Sequence, residues 1–212
     1  MASITSTTAP DATDTRERLL AAAIAEFCAH GFAGSSTARI VAAAGCNIRM
    51  IYHYFSSKDG LYRAALQRVY DELRDSEDKI SFWTLHPRQG VAELTRFTFD
   101  YMLANPQFPR MMLNENLAGG DAVRSLRSVN QNARPLISKL NALIETGHAS
   151  GVFTERPTAI DLYLTILALS FIHLSNVHTL SATFGEDLAG SGFLDRRRQH
   201  VVDVVLGYLG AR

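Results

Sequence analysis

The sequence has few of the residues on which disulfide, sheet or metal frameworks depend. Its 212 residues include only two cysteines, Cys28 and Cys46, which excludes a disulfide scaffold. Neither thiol has an obvious cationic neighbour in the sequence, so we expect both to pack as inert apolar groups rather than to form a redox pair. No stretch alternates apolar and polar residues for long enough to predict a strand.

Long apolar runs and targeting signals are also missing. The span 162–185 has no Asp, Glu, Lys or Arg, but nine of its 24 residues are Ser, Thr, Asn or His, and its apolar centre is too short to cross a bilayer. Residues 1–13 lack the basic start and apolar core of a signal peptide, and their composition predicts a disordered tail. We therefore expect a soluble, cytoplasmic protein with no membrane partner.

The residue patterns of catalytic and metal sites are absent as well. His173 and His178 are five residues apart, which does not put two imidazoles on one helix face, and no cysteine or carboxylate accompanies them. The sequence has no nucleophile elbow, no phosphate-binding glycine loop and no pair of carboxylates with an evident partner. We expect no catalytic residue, no metal and no cofactor.

Nearly every segment of the sequence is typical of helix. The pattern predicts an all-α fold of about nine helices, with a helix-turn-helix domain over 14–60 and a larger helical bundle over 61–212. Two of the bundle helices are expected at 121–149, with a kink or break at Pro135, and at 158–182. The net charge is zero, but residues 1–70 hold seven Lys and Arg against five Asp and Glu, which slightly favours that end for a polyanion.

Two short helices, at 36–44 and 47–54, are separated by a tight turn at Gly45-Cys46, which is the geometry of a helix-turn-helix. If Ile51 and Phe55 point into the small core, the residues between them must point outward, and Ile48 fits either direction. Exposed rings and cations on a short helix suit a DNA groove better than water. The core is expected to form from Ile40, Ala44, Cys46, Ile51 and Phe55 against Leu20, Ile24, Phe27 and Phe32.

The outward residues predict contacts with double-stranded DNA. Arg49 suits a guanine edge, Met50 or Ile48 a thymine methyl group, and Tyr52 or His53 a base edge or a phosphate. The hydroxyl groups of Ser36, Thr37 and Tyr54, together with Lys58, suit phosphates on either side of the groove. The candidate DNA-binding residues are Ser36, Thr37, Asn47, Ile48, Arg49, Met50, Tyr52, His53, Tyr54 and Lys58.

The same residues resemble a family signature. The TetR family of bacterial regulators carries T-T, I-A, A-G-V-S, L-Y-x-Y/H-F and S-K-E-x-L in this order. About 45 residues here are similar to it, through Ser36-Thr37, Ile40, Ala43-Ala44-Gly45-Cys46-Asn47, Ile51-Tyr52-His53-Tyr54-Phe55 and Ser57-Lys58-Asp59-Gly60-Leu61. The sequence departs from the signature at Val41, where alanine is usual, and at Cys46, where valine is usual. The resemblance implies DNA backbone contacts for Thr37, Asn47, Tyr52, Tyr54 and Lys58.

The resemblance also implies a homodimer on a palindromic operator and a C-terminal pocket for a small-molecule effector that releases the DNA. Candidate pocket residues are Trp83, Phe97, Tyr101, Phe108, Met111, Met112, Asn114, Glu115, Asn116, Phe171, His173 and Asn176. Each has a structural alternative: the asparagines as caps or helix-to-helix hydrogen bonds, His173 as a core histidine, and the Met and Phe residues as plain core. Candidate dimer-interface residues are Leu162, Ile166, Leu169, Ile172, Val201, Val202, Val205 and Leu209, with a wholly internal core as the alternative.

The leading interpretation is a ligand-responsive, dimeric transcriptional regulator, most often a repressor in this family. Two alternatives stay open. A small α-helical enzyme with an apolar pocket would need a catalytic constellation that the sequence does not display. A regulator that has lost its own ligand would have a bundle without an enclosed cavity.

Overall fold

The computed structural model describes residues 12–211, without the side chains at 12, 127, 128 and 130. Within that range the chain forms eleven α-helices, one 3₁₀ turn and no strand. The helices are Ala12–Gly34 (α1), Thr37–Ala44 (α2), Arg49–Phe55 (α3), Lys58–Lys79 (α4), Pro87–Ala104 (α5), Gln107–Leu117 (α6), Asp121–Ser125 (α7), Arg127–Ala149 (α8), Ala159–Ser175 (α9), Val177–Phe184 (α10) and Ser191–Tyr208 (α11), with the 3₁₀ turn at Phe82–Thr84. The all-α expectation is confirmed, and most of the predicted tail over 1–13 lies outside the described residues.

Two predicted helices are each divided in two, which raises nine helices to eleven. The segment expected at 121–149 breaks at Leu126 (φ −91°, ψ 88°), between α7 and α8, and Pro135 lies inside α8. The segment expected at 158–182 breaks at Asn176, where α9 and α10 meet at 73°. The expected kink at Pro135 was therefore placed nine residues too late, because the backbone leaves the helical region at Leu126 instead.

Two hydrophobic clusters hold the molecule together. The first runs from the helix-turn-helix into the bundle, since Phe27 and Ile51 share it with Leu66 of α4 and Met111 of α6. The second joins the 3₁₀ turn with α5, α8, α9 and α11, around Phe82, Phe153 and Val205. Because α4 and α6 belong to the first cluster, the helix-turn-helix and the bundle share one continuous core rather than meeting through a linker.

Among residues 12–211, no single helix is long and apolar enough to cross a membrane. The bent pair α9 and α10 meets the length and composition requirement only when the two helices are taken together.

Candidate DNA-binding surface and ligand cavity

Local hydrogen bonds fix the turn between α2 and α3. The hydroxyl group of Ser36 accepts from the N–H of Arg39 (3.4 Å) and caps the start of α2. Gly45 ends α2 with φ at +61°, a left-handed conformation that side chains rarely adopt, so glycine suits this position. Asn47 Oδ1 accepts from the N–H of Arg49 (2.9 Å), but the N-cap residue of α3 is Ile48, which makes no side-chain capping bond. Helix α3 therefore begins two residues later than the predicted start at 47.

The inward face of this helix pair is packed tightly. Ile40 and Ile51 are fully buried, and Ala44 and Phe55 nearly so. Phe32 is different from the expectation: it is 37% exposed, and its ring lies at the edge of the core against Phe27 and Tyr62. The core residues pin the orientation of α3, so its remaining side chains face away from the protein.

The outward face of α3 carries the side chains that suit a DNA groove. Ile48, Arg49, Tyr52 and His53 are exposed, which resolves the direction of Ile48. The guanidinium group of Arg49 has no hydrogen-bond or ion-pair partner among the described residues, so its donors are available. Met50 is the one outward candidate that the structure corrects, because its side chain is half buried against the first cluster.

Several of the predicted phosphate-contacting residues already have partners within the protein. Lys58 Nζ donates to the carbonyl oxygen of Ser35 (2.7 Å) and lies 4.8 Å from the centre of the Phe32 ring. Ser36 and Thr37 are half buried at the start of α2, Asn47 is exposed, and Tyr54 is half buried against the first cluster. The Ser36 hydroxyl group therefore caps the start of α2, and Lys58 links the start of α4 to Ser35. Both residues also lie next to α3.

Arg39 is a cation beside this surface that the sequence did not single out. It is exposed on α2, and its Nε donates to Glu26 Oε1 (2.9 Å), which also accepts from the N–H of Ser36 (2.8 Å). The hydrogen bond from Arg39 holds the pKa of the Glu26 carboxyl group below its usual value. The pair ties α1 to α2, and the charge of Arg39 is already partly neutralised.

Gly60 sets how closely α3 approaches α4. A Cβ atom at this position would overlap the backbone carbonyl oxygen of Phe55, and backbone cannot move aside as a flexible side chain can. The Ser57 hydroxyl group accepts from the N–H of Gly60 (2.9 Å) and caps α4 at the same place. The glycine in Ser57-Lys58-Asp59-Gly60 is thus required by the close packing of two helix ends.

The bundle contains a cavity of about 330 Å³ between α4, α6 and α9. Its walls are largely apolar, and four of the predicted pocket residues line it: Phe108, Met112, Asn116 and Phe171. The sequence missed the polar side of the cavity. That side is formed by Tyr70, Arg74 and Tyr163.

Five other pocket candidates lie outside this cavity, and two of them, Phe97 and Tyr101, line a separate pocket of about 510 Å³ between α4 and α5. Met111 is buried in the first cluster, and Tyr101 is buried there with its pKa raised to about 12 by burial. Phe97 lies beside Tyr101, with ring centres 5.6 Å apart. Trp83 packs on the second cluster under Lys139 Nζ, which is 3.5 Å from the ring centre. Asn176 is exposed and donates to the Ser175 hydroxyl group (2.7 Å) at the end of α9.

His173 is buried, but among the described residues neither of its ring nitrogens has a hydrogen-bond partner, and it lies outside the cavity between α4, α6 and α9. Its ring is 3% exposed and stacks on Phe99, with ring centres 4.9 Å apart. Burial, helped by the charge of Arg197, lowers its pKa to about 4, so the ring is neutral at ordinary pH. It borders a separate cavity of about 510 Å³ between α9, α10 and α11.

Asn114 and Glu115 connect α6 to its neighbours instead of lining the cavity. Asn114 Nδ2 donates to the carbonyl oxygen of Phe27 in α1 (3.0 Å). Glu115 is 4% exposed and accepts from the Tyr62 hydroxyl group of α4 (2.9 Å) and from the N–H groups of Ala122 (2.8 Å) and Val123 (3.0 Å). Both residues were predicted as polar pocket groups, and both act as helix-to-helix hydrogen bonds.

Most of the predicted dimer-interface residues lie inside the protomer. Each of six is 2% exposed or less: Leu162, Ile166, Val201, Val202, Val205 and Leu209. All of these except Val201 belong to the second cluster. Leu169 is half buried, and Ile172 is 46% exposed. The list is corrected accordingly: the two helices were chosen from their apolar content, but their most apolar stripes face inward.

Both cysteines are free and half buried. Burial raises the pKa of the Cys28 thiol to about 11 and also raises that of Cys46. Raised values keep thiols protonated at neutral pH, in line with the expectation of inert packing groups.

The short helix pair, its turn and the exposed face of α3 define a helix-turn-helix protein. Residues 19–65 match the sequence model of bacterial regulatory proteins of the tetR family, and residues 87–205 match a model described as a tetracyclin repressor-like C-terminal domain. The chain belongs to the TetR family of bacterial transcriptional regulators. It is therefore a DNA-binding regulator, and the alternative of a small α-helical enzyme is wrong.

Similar proteins carry the same description. The HTH-type transcriptional repressor NicS of Pseudomonas putida is 34% identical over 181 residues, covering 85% of each protein. The HTH-type transcriptional repressor SCO4008 of Streptomyces coelicolor is 29% identical over 76% of this chain and 79% of that protein. A solved structure of a tetR-family regulator from Rhodococcus RHA1 has the same fold, with a TM-score of 0.71 at 18% identity over 93% of this chain and 98% of that one.

Proposed function

We propose that the protein is a homodimeric repressor that binds a palindromic operator through α3 and is released by a small-molecule effector in the bundle. The observation that carries the proposal is the outward face of α3, where Arg49, Tyr52 and His53 are exposed beside an inward face that fixes the helix. Two relatives described as repressors support that direction of regulation. Such a protein acts on the chromosome, in the cytoplasm.

The exposed faces of α9 and α11 support the homodimer. Ile160, Leu164 and Ile172 recur at multiples of four residues along α9 and are 46% to 57% exposed. Val204 and Tyr208 are four apart on α11 and are 38% and 52% exposed. Apolar stripes on two neighbouring helices are costly in water and suit a second copy of the same surface.

The interface is tested by Ile160→Glu, which puts a charge on the α9 stripe. We expect sedimentation velocity to give a dimer for the wild type and a monomer for the variant. Leu117→Glu is a matched control, because Leu117 is 88% exposed on α6 and belongs to neither stripe. A variant that stays dimeric would place the interface elsewhere.

The response to an effector is supported by the position of α6. Phe108, Met112 and Asn116 of this helix line the cavity, while Asn114 and Glu115 hold α1 and α4. A ligand that alters the position of α6 therefore acts on the same helix that contacts the DNA-binding head. A regulator without its own ligand stays open as the alternative, because the cavity is bordered by Leu164, which is 56% exposed, and is not enclosed.

The decisive experiment is binding selection on randomised double-stranded DNA at one stated salt concentration, since affinity for DNA depends steeply on salt. We expect enrichment of a palindrome whose half-sites are centred about 34–36 Å apart, one helical turn of B-DNA. Enrichment of an asymmetric site, or only salt-sensitive binding to all sequences, would contradict the proposal. The selected operator then serves to screen small molecules by release.

A further inference from the structure

The cavity of the proposed effector site has one cationic group in an otherwise uncharged wall. Of the described residues that line it, Arg74 alone is charged, and its side chain is 15% exposed. Apolar side chains such as Phe108, Leu167 and Phe171 form most of the remaining wall. An arginine in such surroundings is unfavourable unless an anion accompanies it.

The anion that accompanies Arg74 is Glu77, which lies outside the cavity. Arg74 Nη1 is 2.6 Å from Glu77 Oε2, but the two buried atoms are not aligned as a hydrogen bond. The other oxygen of Glu77 accepts from the Tyr163 hydroxyl group (2.7 Å), and the carboxylate is 3% exposed. Both partners of Glu77 line the cavity while Glu77 does not, so they separate it from the space that a ligand would fill.

The guanidinium group of Arg74 keeps unused hydrogen-bonding capacity. It has five N–H donors in a planar fork, and Glu77 is its only ion-pair partner among the described residues. Arg74 also forms a hydrogen bond with the Tyr163 hydroxyl group, which opposes the rise that burial causes in the pKa of Tyr163. A fork of this kind binds carboxylates with two parallel hydrogen bonds.

Resting on the proposed function, we propose that the effector is a small organic monocarboxylate with an apolar body, and that its carboxylate binds Arg74. The aromatic rings of Phe108 and Phe171 and the sulfur of Met112 provide the apolar surface for the body of the ligand. The Tyr70 hydroxyl group, which donates to Met112 Sδ (2.7 Å), adds a polar group at the same wall. A neutral molecule of the same shape would leave the guanidinium donors unmatched.

Binding of the ligand carboxylate to Arg74 changes the protonation of Glu77. Burial raises the pKa of Glu77 to about 7, against the opposing effects of Arg74 and Tyr163. Beyond these two, the groups that face Glu77 are Asp78 of α4, itself paired with Lys139 of α8, and Tyr101 of α5. The negative charge of the ligand raises the pKa of Glu77 further, so binding above about pH 7 takes up a proton.

The test measures heat stability and calorimetric binding of the purified full-length protein with benzoate, phenylacetate and hexanoate. Each acid is matched with its neutral amide at equal ionic strength. We expect at least one acid to bind at millimolar concentration or below and its amide to bind about tenfold or more weakly, since only the acid gives a charge-assisted pair. Above about pH 7 the affinity of the acid should fall, approaching tenfold per pH unit, with proton uptake measurable by comparing two buffers.

Variants separate the roles of the two residues. Arg74→Gln should abolish the preference for the acid, and Arg74→Gln combined with Glu77→Gln repeats this measurement without leaving an unpaired buried carboxylate. Glu77→Gln should keep the acid preference and lose the pH dependence. Arg96→Gln is the matched control, because Arg96 is a half-exposed arginine on α5 outside the cavity wall.

The outcomes distinguish this proposal from the function on which it rests. Equal binding of acids and amides, no binding of any acid, or an acid preference that survives Arg74→Gln would overturn the carboxylate proposal. If the acids bind through Arg74 but leave the protein on its operator, the ligand class stands and release by this site is wrong. If an amide releases the operator, the proposed function stands and the ligand class is wrong.

Discussion

Replacing Glu77 by glutamine should make the protein more stable at alkaline pH. The folded protein holds the pKa of Glu77 near 7, against an ordinary value of 4.5, because the carboxyl group is buried. A folded state with a raised pKa binds more protons than the unfolded chain, so its stability is fully present below about pH 4.5 and is lost as the pH rises through 7. At about 1.4 kcal/mol for each pH unit between the two pKa values, the ionised carboxylate costs the fold up to about 3 kcal/mol.

Glutamine has nearly the shape of the protonated acid and does not ionise. We expect Glu77→Gln and the wild type to have similar free energies of unfolding at pH 5, and the variant to be more stable by up to about 3 kcal/mol at pH 8. The assay is urea unfolding at several pH values and one protein concentration, since the stability of the proposed dimer would depend on concentration.

Glu72→Gln is the matched control, because Glu72 is a half-exposed carboxylate on the same helix. The free energy of unfolding of Glu72→Gln should change with pH in the same way as that of the wild type. If the curve of Glu77→Gln also runs parallel to the wild type, Glu77 titrates normally and the reasoning about its burial is wrong.

Three further predictions concern the DNA-binding head. Arg49→Ala should weaken operator binding by about 1–3 kcal/mol and relax preference at one base pair in a binding selection, whereas an equal loss on every sequence would make it a phosphate contact. Lys58→Gln should weaken specific and random DNA alike and reduce the slope of log affinity against log salt by about 1; a loss confined to the operator would contradict this. Gly60→Ala should lower the free energy of unfolding by about 1–3 kcal/mol because its Cβ meets the carbonyl oxygen of Phe55, while Gly207→Ala, with open space around its Cβ, should not destabilise the protein.

The head was largely predictable because short-range rules determine it. Gly45 ends one helix, Asn47 accepts from the N–H of Arg49 just before the next helix, and the spacing of Ile51 and Phe55 then decides which residues face outward. The errors arose where the geometry depends on residues far along the chain. Lys58, for example, reaches a carbonyl oxygen 23 residues earlier, which no local pattern indicates.

The polar side of the cavity was not predicted from the sequence, because the composition of the C-terminal part of α4 resembles a solvated surface. Residues 71–79 read DELRDSEDK, which is typical of a solvated helix surface, yet Glu77 is buried and the Arg74 side chain is only 15% exposed. The signal was present in the spacing: Glu77 follows Leu73 by four residues, and Leu73 follows Leu66 by seven, so all three share the buried face of α4. Spacing predicts that Glu77 turns inward, but not that Arg74 and Tyr163 meet it.

The sequence predicted correctly that α6 contributes to the pocket, but it assigned to Met111, Asn114 and Glu115 a pocket role that they do not have. The two faces of α6 explain this error. Phe108, Met112 and Asn116 are four apart and line the cavity, whereas Met111 and Glu115, also four apart, do not, and Glu115 instead accepts from Tyr62 of α4. Both faces mix apolar and amide or acid groups, so hydrophobicity does not separate a ligand wall from a packing contact. The distinction depends on which neighbour each face meets, and that is decided by the break before α8 and by the approach of α1, both properties of the tertiary fold. In the proposed function, this two-faced arrangement makes α6 the element that would transmit occupation of the cavity to the DNA-binding head.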